Sequence, residues 1–133
     1  MNKTPKKSTV SRKKTTDPGE ALIKAIIQGI QEKKGHDIVM IDLRKSGNSI
    51  TDYFIICHGT SDTQVEAIAR SVEETVLKKT KEYPHHVEGN DNAHWIIIDY
   101  FNAVVHIFVE EKRNFYGLEK LWADAPNLKV AYA

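Results

Sequence analysis

Apolar residues recur along this chain with two periods, and the switch between them predicts most of the elements. Leu22, Ile23, Ile26, Ile27 and Ile30 mark one face of a helix. Asp17-Pro18-Gly19-Glu20 precedes them with a capping residue, Pro at the first helical position and Glu at the third. Gly35 is placed to close that helix. Ile38 to Leu43 and Tyr53 to His58 read as strands around a polar turn from Arg44 to Ser49 centred on Gly47. Ser61-Asp62-Thr63-Gln64 is a second capping box, and Val65, Ile68, Ala69, Val72 and Val76 follow at helical spacing to about Thr80. Pro84 to Glu88 is a short extended segment, and Gly89 to Ala93 a loop.

His94 to Tyr100 and Ala103 to Val109 carry the strongest strand pattern. Only Phe101 and Asn102 lie between them, which predicts a hairpin. A last helix is expected from about Glu111 to Trp122, with Phe115, Leu118, Leu121 and Trp122 packing it on the sheet. Residues 124–133 are expected to fray. The predicted fold class is α/β: a small mixed β-sheet with a C-terminal antiparallel hairpin packed against helices.

The hairpin assigns residues to faces, because strand side chains alternate. With a two-residue loop, Tyr100 faces Ala103, Asp99 faces Val104, Ile97 faces His106 and Trp95 faces Phe108. Ile96, Ile98, Tyr100, Ala103, Val105 and Ile107 then form one face, the natural core against two amphipathic helices. Trp95, Ile97, Asp99, Val104, His106 and Phe108 form the other. That second face is either an open aromatic binding patch or the bed of the last helix.

Charge divides the chain into two parts. Residues 1–16 hold Lys3, Lys6, Lys7, Arg12, Lys13 and Lys14 and no acid, leaving 13 basic against 18 acidic residues in 17–133. A segment so poor in apolar residues cannot offset the entropy of ordering. Three regions follow: a disordered basic tail (1–16), a folded domain (17–125) and a C-terminal tail (126–133). The tail either only solubilises the chain or touches the phosphates of a nucleic acid. The acidic domain favours a basic protein partner.

Other residues limit the chemistry. Cys57 is the only cysteine, so no intramolecular disulfide is possible, which suits a reducing compartment such as the cytoplasm. No apolar run is long enough for a transmembrane helix. His85 and His86 are adjacent, and His58, His94 and His106 lack metal-ligand spacing. Gly59-Thr60-Ser61 resembles the strand-to-helix turn of a nucleotidyltransferase, but no acid-x-acid pair follows; Asp62 stands alone. No catalytic residue, metal or cofactor is expected.

Several stretches resemble one family. Ser49-Ile50-Thr51-Asp52-Tyr53-Phe54-Ile55-Ile56 and Gly59-Thr60-Ser61 are similar to the first signature of the ribosomal silencing factor (Iojap-like) family. Glu88-Gly89, Trp95, Asp99-Tyr100 and Val104-Val105-His106-Ile107-Phe108 resemble its middle, and Arg113-Asn114-Phe115-Tyr116-Gly117-Leu118-Glu119-Lys120-Leu121-Trp122 its last helix. The likeness runs over about residues 20–125. It implies a nucleotidyltransferase-like fold without transferase activity, and docking on the large ribosomal subunit through its fourteenth ribosomal protein. Blocked subunit joining would follow, with large-subunit assembly as the alternative role and a divergent nucleotidyltransferase-like enzyme as the competing class. It also implies partner contact at Trp95, to which Asp99 and His106 are added from the same face and Tyr116 and Glu119 from the last motif. The chain would be a monomer or a weak homodimer. One departure is Phe101, where the family carries Gly.

Overall fold

The computed structural model describes residues 18–45, 51–89 and 91–130. The Asp17 cap, the tail of residues 1–16, and Gly47, Ser49 and Ile50 lie outside the described residues. Helix α1 (Pro18–Glu32) leads to β1 (His36–Asp42), β2 (Tyr53–Gly59) and α2 (Asp62–Thr80). Then come β3 (His86–Glu88), β4 (Trp95–Asp99), β5 (Ala103–Val109), α3 (Glu110–Tyr116), α4 (Leu118–Leu121) and β6 (Asn127–Lys129). The six strands form one sheet in the order β3-β4-β5-β2-β1-β6. Among the described residues only β2 and β5 pair in parallel; the other neighbours are antiparallel, so the sheet is mixed.

Alternation sorts the strands into two layers. Ile38 of β1, Ile55 and Cys57 of β2, Ile96 and Ile98 of β4, and Val105 and Ile107 of β5 bury one face against α1 and α2. Leu22, Ile26 and Ile30 of α1 and Val65, Ile68, Val72 and Val76 of α2 supply the opposing side chains. On the other face Val39, Ile41, Leu43, Ile56 and Phe108 form a smaller cluster, with Leu118, Trp122 and Ala125 against it.

Helix α2 is bracketed by its caps. The Ser61 side chain accepts from the Gln64 amide, and Lys81 closes the helix in the left-handed conformation with φ 66°. Gln64 Oε1 accepts from Thr60 N at 2.7 Å, while its Nε2 donates to the Lys33 and Lys34 carbonyls at 3.2 and 3.1 Å. The Gly59-Thr60-Ser61 turn therefore caps α2 and ties its start to the end of α1. At that end Lys34, not Gly35, takes the positive φ.

Strands β4 and β5 pair with Trp95 opposite Phe108, Ile97 opposite His106 and Asp99 opposite Val104. The loop between them is strained. Phe101 has φ 75°, and Asn102 N donates to Tyr100 O at 2.9 Å, the pattern of a γ-turn with positive φ. Holding a bulky residue there costs on the order of 1–3 kcal/mol.

Two expectations are corrected. The single helix over 111–122 is two short helices, because Gly117 caps α3 with φ 60° and its N–H bonds Arg113 O. Residues 126–130, expected to fray, include β6, which pairs with β1; Val130 N also bonds Ile38 O at 2.8 Å.

Candidate partner-binding site

The second face of the sheet carries the aromatic residues, and each is placed by a different element. Trp95 opens β4 and remains half-buried. Its ring stacks on Phe108 of β5 at 4.8 Å, and Tyr116 at the end of α3 leans over it at 4.7 Å. Gly89 is held with φ 91°, and a Cβ there would collide with the Trp95 carbonyl, so the loop before β4 can approach Trp95 only as glycine. Tyr116 is exposed, and Phe115 beside it is 76% exposed. Leu121 is also exposed, at 75%. The expectation that Phe115 and Leu121 pack on the sheet is thus corrected; Leu118 and Trp122 do that work. The reason is the break at Gly117, which ends α3 and starts α4 as a separate helix.

His106 lies beneath this ledge and is 6% exposed. Trp95 Nε1–H donates to His106 Nδ1 at 3.1 Å, so Nδ1 is the acceptor and the imidazole proton sits on Nε2. Nε2 is buried without a hydrogen-bond partner among the described residues. Burial holds the imidazole neutral, with its pKa pushed down to about 4. Phe54 meets its ring edge-on at 4.6 Å. His106 therefore orients Trp95 from below and is itself almost closed to solvent.

Asp99 and Glu119 also have internal tasks. Asp99 Oδ1 accepts from Phe101 N at 2.8 Å, fastening the hairpin turn. Both Glu119 oxygens accept from Arg113, at 2.8 and 3.1 Å. Arg113 is 8% exposed, and it also donates to His58 Nδ1 at 2.9 Å and to the His36 carbonyl at 3.4 Å. One guanidinium thereby fastens α3 and α4 to β1 and β2. A charged residue on a short helix reads as solvated in sequence, and Glu119 follows it by six positions, outside helical pair spacing. The signal available was Gly117, which marks a break between the two.

A cleft of about 380 Å³ opens beside this network, lined among others by Asp37, His58, Glu110, Arg113 and Lys129. The pKa of His58 is lowered, first by burial and then by Arg113, with Glu110 opposing. Cys57 is fully buried, and burial pushes its thiol up to about 12, which leaves it a packing residue. Among the described residues no group of His, Cys, Asp or Glu is arranged to hold a metal ion. No helix among them is long and apolar enough to cross a membrane.

The comparisons with known proteins agree on one family. The family model described as "Ribosomal silencing factor during starvation" matches residues 16–132. The chain is 37% identical over 107 residues to the ribosomal silencing factor of Bacillus subtilis (strain 168), covering 80% of this chain and 89% of that protein. It is 29% identical over 102 residues to the "Mitochondrial assembly of ribosomal large subunit protein 1" of Mus musculus, covering 75% of this chain and 44% of that protein. A crystal structure of a protein from Bacillus halodurans superposes with a TM-score of 0.70 at 33% identity, over 84% of this chain and 99% of that one.

Proposed function

The chain belongs to the ribosomal silencing factor family, and from that premise we propose that it docks on the large ribosomal subunit and sterically prevents the small subunit from joining. The carrying observation is the aromatic ledge of Trp95 and Tyr116, oriented from below by His106 and fixed from the side by Arg113. A ledge built with that much support and left open to solvent is suited to a protein partner. The acidic balance of residues 17–133 favours a basic one, and the fourteenth large-subunit protein at the intersubunit face is the partner we assign. Trp95 and Tyr116 supply the apolar anchor. Asp99 lies on the same face at the far end of β4, about 13 Å away along the strand. Glu119 acts through Arg113.

The fold is read as nucleotidyltransferase-like, with the Gly59-Thr60-Ser61 turn retained as a helix cap and the function carried by the sheet's other face. No cofactor is required, and the working compartment is the cytoplasm. The basic tail of residues 1–16 adds affinity through ribosomal RNA. A second reading, large-subunit assembly, is favoured by the mouse relative, whose name states that role.

The test is subunit joining. Purified large subunits are incubated with the protein, small subunits are added, and the joined fraction is measured by light scattering. Joining should fall with the wild-type chain and recover with Tyr116→Ala. Undiminished joining in the presence of the wild-type chain would reject the silencing mechanism. Binding only to immature large subunits would select the assembly role.

A further inference from the structure

The hairpin turn carries an exposed aromatic side chain on backbone that disfavours it. Phe101 is 63% exposed with φ 75°. The other non-glycine residues with positive φ among the described residues are Lys34, Asp37, Lys81 and Ala93, at 50–66°. Those values lie in the ordinary left-handed region. Phe101 alone combines positive φ with the 2.9 Å bond that closes a γ-turn around it.

The turn does not need this side chain. Its hydrogen bonds use main-chain atoms: Phe101 N donates to Asp99 Oδ1 at 2.8 Å, and Phe101 O accepts from Thr51 Oγ1 at 2.6 Å. Asn102 O accepts from Asp52 N and Tyr53 N, both at 3.2 Å. Glycine would keep every one of them and adopt the φ freely. Among the described residues the ring's one aromatic neighbour is His85, itself exposed, with centroids 3.6 Å apart. A bulky residue held against its backbone preference, and presented to solvent, points to use by a partner.

We propose that Phe101, with the His85 ring beside it, is a second anchor of the docking surface, seated on an apolar recess of a basic protein. This rests on the docking function proposed above. The charge around the turn selects the partner class. Asp52 and Asp99 flank Phe101, and neither forms an ion pair among the described residues. Nearby Arg44 is neutralised by Asp42 at 2.7 Å. The exposed Asp52 carboxylate, with the Asp99 oxygen that the turn does not use, repels phosphate beside the aromatic ring and favours Lys or Arg of a protein surface.

The experiment compares wild type, Phe101→Gly and Tyr116→Ala in the full chain, measuring the thermal midpoint and the affinity for purified large subunits. Phe101→Gly should raise the midpoint by about 4 °C and weaken binding about tenfold. A lowered midpoint with unchanged affinity would show that Phe101 serves the fold through His85 and would overturn the proposal. Unchanged affinity for Phe101→Gly, with Tyr116→Ala weakened, would overturn it while leaving the docking function standing. No binding by the wild-type chain would overturn both. The probe is then changed to protein-free large-subunit RNA: an equal loss there would overturn the assignment to a protein partner.

Discussion

The two faces of the sheet are built from the same strands and treated in opposite ways. The first is sealed by two long helices, and its cluster holds twenty of the described buried residues. The second has two short helices over part of it, and its cluster holds five of the described buried residues. Partners differ as well as area. The first face is almost wholly apolar, while the second includes His58, His106 and Arg113. Apolar burial is non-directional, whereas a bidentate ion pair and an indole-to-imidazole bond each favour one orientation. The first face makes the domain stable; the second makes a surface definite.

The largest effect should come from damaging the first face. Ile68→Ala, at a residue with no exposure, should cost about 2–5 kcal/mol in urea denaturation. Ribosome binding per folded molecule should not change. Equal losses of stability and of intrinsic affinity would break the division of labour.

The second face should respond to acid where the first does not. The unfolded chain protonates His106 near 6.5, whereas the folded one resists down to about 4. Between those values the unfolded state binds more protons, so stability is full above about pH 6.5 and falls as the pH drops toward about 4. The loss is at most roughly 3 kcal/mol. His58 shifts in the same direction. His106→Phe should flatten the profile, read as denaturation midpoints across pH 4–7; an unaltered slope would mean another group controls it.

Arg113→Met should cost roughly 2 kcal/mol of stability, tempered because Glu119 is partly exposed and can be rehydrated. It should weaken binding as well, since Tyr116 loses its anchored helix. Denaturation and sedimentation with large subunits measure the two losses separately. Tyr116→Ala should weaken binding by about 2 kcal/mol while changing stability by less than about 1 kcal/mol. If its stability loss exceeds its binding loss, the ledge is core rather than contact. Glu119→Gln should have the smallest effect, about 1 kcal/mol or less, because an amide oxygen still accepts one bond from Arg113.

The sequence was most legible where local rules and tertiary pairing agree. A two-residue gap fixes a hairpin register, so the β4–β5 partners could be read residue by residue. Ser61 and Gln64 announced α2 because capping acts within one turn. The last third was harder. Asn127-Leu128-Lys129 has no strand period of its own, and β6 exists only because the edge of β1 offers it hydrogen bonds. Arg113 shows no sign in sequence of being buried, since its partners His36 and His58 arrive from distant strands. Trp95 and Tyr116 were placed together by family likeness and face alternation. The inward roles of His106 and Glu119 required the packed structure.

Both lateral edges of the sheet end in strands of three residues, β3 and β6. Pro84 lies two residues before the first and Pro126 directly before the second, and Glu88 and Lys129 bring charge to them. The long apolar strands β2 and β5 sit between these short borders, where no other chain can add to their backbone. Because β6 pairs with Val39, Met40 and Ile41, trimming the C-terminal residues would uncover the apolar stretch of the β1 edge. An edge left open in that way offers unpaired backbone groups to another chain, so the last strand closes off a template for edge-to-edge association.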